Sequence, residues 1–177
     1  MDRNQLAREI YRVSHLTGQF TLRSGKTSTE YFDKYRFEAR PQLLREIAKQ
    51  MTPLIPPGTD AIAALEMGGI PIATALSLAT GIPVVFVRKE AKSYGTRQFA
   101  EGYDVAGKKL CVIEDVITTG GQVLESTEAL RGIGAEIHDI VCVIYRGDGD
   151  LGAFQRAGLT CKALFSKQDL ENAARGG

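Results

Sequence analysis

The 177-residue chain has no tryptophan, only two histidines and only three cysteines. The cysteines, at 111, 142 and 161, form neither CxxC pairs nor an even framework. That argues against a disulfide scaffold or a zinc ribbon and for a reducing, cytoplasmic setting. His15 and His138 are too isolated in sequence to read as a metal pair. An excess of charge is lacking too: 22 Lys and Arg against 21 Asp and Glu leave +1, with no basic footprint for nucleic acid. No apolar run approaches the roughly 18 residues of a membrane helix. The amino end also lacks the unbroken apolar core of a secretory signal. Long linkers, internal repeats and low-complexity tracts are absent. Glycine is abundant, at 19 residues, which implies several turns defined by backbone conformation. The length suits one domain with a proper core.

The spacing of Leu6, Ile10, Val13 and Leu16 predicts a helix over Asn4–Thr17 that Gly18 stops. Phe20–Leu22 and the aromatic stretch Tyr31–Phe37 read as two short strands joined by a turn at Ser24-Gly25-Lys26. Pro41 suits the first turn of a helix whose apolar face is Leu43, Leu44, Ile47, Ala48 and Met51. From residue 60 the rhythm becomes strand, turn, helix. Apolar runs at 60–65, 84–87, 110–113, 140–144 and 161–165 are separated by helices expected over 71–81 and 122–131. That pattern predicts a three-layer α/β domain with a mostly parallel central sheet. Ligands bind such sheets beyond the carboxyl ends of the strands, which points to the loops after residues 65, 87, 113 and 145.

The strongest chemical signal runs from Leu110 through Glu114-Asp115-Val116-Ile117-Thr118-Thr119-Gly120-Gly121 to Gln122. An apolar strand is expected to end in two carboxylates, followed by a Thr-Thr-Gly-Gly turn that opens a helix. Backbone N–H groups, two hydroxyls and a positive helix end make a cradle for a phosphate monoester. Glu114 and Asp115 suit the hydroxyls of a sugar, so the segment describes a ribose 5-phosphate site, the alternative being an ordinary βα turn with an Asp and a helix cap. On this reading the Asp115 carboxylate faces solvent or ligand. Gly147-Asp148-Gly149-Asp150-Leu151-Gly152 matches a dinucleotide fingerprint, but two aspartates in the loop would repel a pyrophosphate, and Asp169 falls in a predicted helix. Arg88, Lys89 and Lys92 place three cations within five residues of a strand end, in a loop containing Gly95. They read either as solvated surface charge or as an anion site.

Residues 111–123 resemble the phosphoribosyl-diphosphate (PRPP) motif of type I phosphoribosyltransferases, and more of the chain resembles the orotate phosphoribosyltransferases. Phe20-x-Leu22-x-Ser24-Gly25-Lys26 with Tyr31-x-Asp33 is similar to their amino-terminal signature. Leu65-Glu66-Met67-Gly68-Gly69-Ile70-Pro71 is similar to their pyrophosphate loop, and Val87-Arg88-Lys89-x-x-Lys92-x-x-Gly95 to their mobile loop. Two positions depart from the pattern. Tyr94 stands where many members have His, and Ser28-Thr29-Glu30-Tyr31 replaces Ser-Pro-x-Tyr.

The resemblance implies the type I phosphoribosyltransferase fold, with a small amino-terminal hood (about 1–40), a core (about 41–177) and a mobile loop (about 89–102). It implies conversion of orotate and PRPP to orotidine 5′-monophosphate and diphosphate, in de novo pyrimidine (UMP) biosynthesis. Mg2+ is expected to be held through substrate. Lys92 and Asp115 become the expected catalytic residues. Arg88, Lys89, Lys92, Tyr94, Glu114, Asp115 and the run Val116–Gln122 become PRPP ligands, and Lys26, Thr118 and Arg146 orotate ligands. A surface ion pair of Arg146 with Asp148 or Asp150 is the alternative for that residue. A homodimer with shared active sites also follows from the resemblance. The other readings are a phosphoribosyltransferase for another nucleobase and a non-catalytic PRPP-sensing regulator.

Overall fold

Alternation of side chains along buried strands sets the architecture of the computed structural model, which describes residues 1–22, 25–90, 98–147 and 151–176. The chain runs α1 (Arg3–Ser14), β1 (His15–Thr21), β2 (Thr27–Phe32), α2 (Tyr35–Glu38), α3 (Pro41–Met51), β3 (Ala61–Leu65), α4 (Gly69–Thr80) and β4 (Val84–Val87). It continues with β5 (Ala100–Glu101), β6 (Lys109–Ile117), α5 (Gly121–Gly132), β7 (Glu136–Tyr145), α6 (Gly152–Arg156), β8 (Thr160–Ser166) and α7 (Lys167–Arg175). Among the described residues, β5-β4-β3-β6-β7-β8 form one sheet, parallel except for β5. Ile62, Ala64, Cys111, Ile113, Val141 and Val143 pack on one face against α1, α3 and α4 through Leu6, Ile10, Ile47, Met51 and Leu76. Ala61, Ala63, Leu110, Val112, Ile140 and Cys142 pack on the other face with Val123, Leu130 and Phe154 of α5 and α6. The chain leaves β3 for β4 on one side and returns to β6 on the other. This reversal opens a crevice beyond the carboxyl ends of β3 and β6.

The amino-terminal segment differs from the sequence expectation. The first helix stops at Ser14, because His15 is already extended and residues 15–21 pair antiparallel with β2. Leu16, counted into the helical stripe, faces Tyr31 across that ladder, and Gly18 lies where the register slips between Thr17 and Phe20. The second strand ends at Phe32 rather than continuing to Phe37. Asp33 Oδ1 accepts the Tyr35 N–H at 3.2 Å and turns the chain into α2. The hairpin β1–β2 is a sheet of its own, whereas α1 shares the main core and packs against α7. α1 is held at its start by a capping box between Asp2 and Gln5.

Candidate active site

The ladder of β6 with β3 ends at Ile113 opposite Ala64, while its ladder with β7 runs on to Ile117 opposite Tyr145. The strand therefore does not end before the carboxylates. Glu114 and Asp115 lie inside it, Glu114 pairing with Cys142 of β7, with the β3–α4 turn packed against Asp115 on the other side. Successive strand side chains leave toward opposite faces, so the two carboxyls differ in exposure, while their ends stay within hydrogen-bonding reach of each other. Glu114 is half-buried and lines a cavity of about 570 Å3 with Val116–Val123, Glu66, Met67, Lys89 and Lys34. Asp115 goes the other way and is 0% exposed. This corrects the expectation that its carboxylate faces solvent or ligand.

Asp115 is enclosed on several sides. Lys34 Nζ lies 2.7 Å from its Oδ2, the Val116 N–H donates to its Oδ1, and Gly68 covers it. A Cβ on Gly68 would fall 1.7 Å from Asp115 Oδ2, and one on Gly69 would fall 2.5 Å from the Ile113 carbonyl oxygen. The Gly-Gly pair thus lets the turn after β3 close onto β6. Burial pushes Glu38 and Glu114 each up to about 9, and the adjacent Asp115 adds to both shifts. Asp115 moves down: burial opposes its charge, but hydrogen bonds from Glu114 and Glu38 and the Lys34 ammonium outweigh it. At neutral pH the cluster therefore carries one anionic carboxylate, one ammonium and two neutral acids.

The phosphate cradle follows. Gly120 adopts φ +77°, a left-handed conformation suited to glycine, and no described side chain caps α5. A Cβ on Gly120 would lie 2.3 Å from Phe154 Cζ. Thr118, Thr119, Gly121 and Gln122 are exposed around this uncapped helix start, where N–H groups and the helix dipole favour an anion.

Of the expected loop cations, Lys89 lines the cavity, its backbone N–H donating to Glu66 Oε1 at 2.6 Å. Arg88 instead pairs with Glu101 at 3.1 Å, across β4 and β5. Lys92 and Tyr94 lie outside the described residues. Glu66 and Glu125 on the cavity wall are hard oxygen donors, and among the described residues no cluster of three or more such groups could hold a metal without substrate. Mg2+ takes such groups one or two at a time and completes its shell with substrate phosphates and water, so the donor chemistry fits.

A second cavity, of about 320 Å3, opens where β7 ends. Arg146 lines it and lies 5.0 Å over the ring of Phe32, with Ser28, Tyr31 and Lys167 nearby on the wall. Burial pushes the Arg146 guanidinium down from its ordinary value. The Arg146 backbone N–H donates to the Ile117 carbonyl at 2.7 Å, so the two cavities adjoin where β6 and β7 end. Thr118 stands at this junction, while Lys26 is exposed on the hairpin turn. Asp148 and Asp150 lie outside the described residues; Asp169 caps α7 with Ser166 and pairs with Arg3 at 3.0 Å, a structural role.

Sequence reasoning missed Lys34 and Glu38, which lie outside every motif, and Phe32, whose ring packs under Arg146. A relative from a Nocardioides species, named orotate phosphoribosyltransferase, is 52% identical over 97% of this chain and 96% of its own length. The chain belongs to the orotate phosphoribosyltransferase family. The phosphoribosyl transferase domain matches residues 35–152. A crystal structure of the Mycobacterium tuberculosis family member with Fe(III) dicitrate aligns at a TM-score of 0.86 and 31% identity, covering 96% of this chain and 99% of that one. Another, of the same protein with PRPP, aligns at 0.81 and 29% identity, covering 97% and 99%. The family relation accounts for the doubly covered parallel sheet and for the order of the motifs.

Proposed function

We propose that the chain transfers a phosphoribosyl group from PRPP to orotate, giving orotidine 5′-monophosphate and diphosphate, as a cytoplasmic step in the building of pyrimidine nucleotides. One observation carries the reading. An anion cradle flanked by a half-buried carboxylate adjoins a pocket in which a half-buried arginine lies over an aromatic ring. The first arrangement fits a ribose 5-phosphate, and the second fits a planar anionic base.

In this reading Thr118–Gln122 bind the 5-phosphate, and Glu114 accepts hydrogen bonds from the ribose hydroxyls. Lys89 and the 66–69 turn face the diphosphate, and Lys92 is the proposed catalytic cation for its departure. Arg146 binds the orotate carboxylate as a fork, with Phe32 beneath and Thr118 at the edge. Mg2+, held through substrate oxygens, would supply positive charge to the departing diphosphate. The bond to the anomeric carbon breaks as positive charge develops there. The protein's contribution is alignment of the base nitrogen with that carbon and stabilisation of separated charge.

A homodimer with shared sites belongs to the same proposal. α4 is rich in apolar residues, Leu78 is 86% exposed on it, and Met67 and Phe86 are exposed elsewhere on the surface. These residues supply apolar surface for a second copy.

The test offers orotate, uracil and purine bases in parallel to the purified chain with Mg2+ and PRPP. Consumption of orotate with release of diphosphate is expected. Equal turnover of uracil, or turnover of a purine instead, would support the other-nucleobase reading, and PRPP binding without turnover of any base would support the regulator.

A further inference from the structure

We propose that Lys34 is a positioning residue for phosphoribosyl transfer: its ammonium, brought in from the hood segment, fixes Asp115 beneath the ribose shelf and so sets the Glu114 carboxyl that faces the substrate. The inference rests on the reading above and adds to it a residue that no motif contains.

The geometry is specific. Lys34 is the residue before α2, two positions after Phe32, so one short segment carries both the floor of the base pocket and the partner of the ribose shelf. Its ammonium reaches Asp115 Oδ2 at 2.7 Å while its side chain, 32% exposed, forms part of the phosphoribosyl cavity wall. Asp115 and Glu114 are bonded neighbours, and the Asp115 N–H donates to Glu114 Oε1 at 3.1 Å. The orientation of Glu114 is thereby tied to the backbone that Lys34 anchors. Glu38, buried on α2, faces Asp115 from the same segment. Without the ammonium, three carboxyl groups would share the space with no cation between them, and the negative charge would have no fixed owner. A carboxylate that must meet ribose hydroxyls in one geometry loses its orientation when its neighbour loses its anchor.

The test measures steady-state kinetics with both substrates, direct binding of PRPP with Mg2+ by calorimetry, and thermal unfolding. The variants are Lys34→Met and Lys34→Arg. Positioning predicts that Lys34→Met raises KM and Kd for PRPP about tenfold, within the range of coupled neighbours, while the KM for orotate stays within about twofold. Lys34→Arg, which keeps the charge, should recover most of the PRPP affinity. An unchanged PRPP affinity in Lys34→Met, whatever happens to the melting temperature, overturns the proposal. Should Lys34→Met fail to fold, the double variant Lys34→Met/Asp115→Asn removes both charges together and leaves no buried ion unpaired. Weakened PRPP binding there supports positioning, and wild-type binding refutes it. Wild-type turnover of orotate is the control, because its absence would sink the proposed reaction while the calorimetric comparison still decides the role of Lys34.

Discussion

Replacing Asp115 by Asn and, separately, Glu114 by Gln distinguishes a carboxylate that holds the fold from one that meets the substrate. Asp115 is fully buried and 2.7 Å from the Lys34 ammonium. Removing one partner of a buried ion pair costs about 3–5 kcal/mol. Two features lower that figure here. Lys34 is 32% exposed, so its ammonium regains some water, and Glu38 can ionise in place of Asp115 once the competing charge is gone. A loss of about 2–3 kcal/mol remains. For a chain of this size each kcal/mol moves the melting temperature by about 2–4 °C, so Asp115→Asn should melt about 4–12 °C lower. Glu114 is partly buried on the cavity wall and already neutral near pH 7, its carboxyl having been pushed up to about 9 by burial and by Asp115. Glu114→Gln should therefore shift melting by no more than about 2 °C, as for a surface change. Its cost should fall on catalysis, because an amide cannot take the ionised form that the positive charge at the anomeric carbon favours. Circular-dichroism melts at pH 7 and initial rates at varied PRPP read both effects. An unchanged melt for Asp115→Asn, or an equal loss for both variants, would refute the assignment of Asp115 to the buried cluster and of Glu114 to the cavity wall.

Three further outcomes follow from the same geometry. Gly120→Ala forces an alanine to φ +77° with its Cβ 2.3 Å from Phe154 Cζ, so it should cost about 1–3 kcal/mol in urea unfolding and weaken inorganic phosphate binding; wild-type phosphate affinity would contradict the cradle. Glu38 and Glu114 have folded values raised to about 9, so the folded state holds protons that the unfolded state has released above about 4.5. Their contribution is complete below that point and is lost as pH rises towards 9, so the urea midpoint should fall between pH 5 and pH 9, and a rising midpoint would contradict the cluster. Lys92→Ala and Glu114→Gln, each impaired alone, should recover activity when unfolded and refolded together. Random pairing makes about half the dimers mixed, so about a quarter of all sites carry neither lesion if the loop crosses the interface. No recovery, with mixed dimers confirmed by mass, would reject shared sites.

The sheet and the start of α5 were legible because their signals are local. Uninterrupted apolar runs mark strands covered on both faces, and Thr118-Thr119-Gly120-Gly121 marks a turn that opens a helix. Strand β6 was read too short because two adjacent charges look like a strand end. The pairing of Val116 and Ile117 with Ile144 and Tyr145 carries the strand through them, and only the ladder reveals this. The pleat then sends Asp115 into the interior, so two identical functional groups take different roles. Leu16 fitted a helical stripe, but its partner Tyr31 lies 15 residues on, a distance at which periodicity is silent. Lys34 illustrates the remaining limit. A single lysine before a four-residue helix carries no pattern, and its importance comes from a carboxylate 81 positions away in the chain.

Recognition of the orotate carboxylate by Arg146 is the claim on which substrate identity turns, and the ratio of kcat/KM for orotate to that for uracil, in the wild type and in Arg146→Gln, tests it most directly. Uracil leaves the guanidinium without its partner, a penalty on the order of 2–5 kcal/mol, so the wild type should favour orotate by roughly 30-fold to several thousandfold. Arg146→Gln should collapse that ratio by losing orotate turnover while leaving the slow uracil reaction nearly unchanged. A ratio that survives the substitution, or a wild type that does not discriminate, would contradict the account.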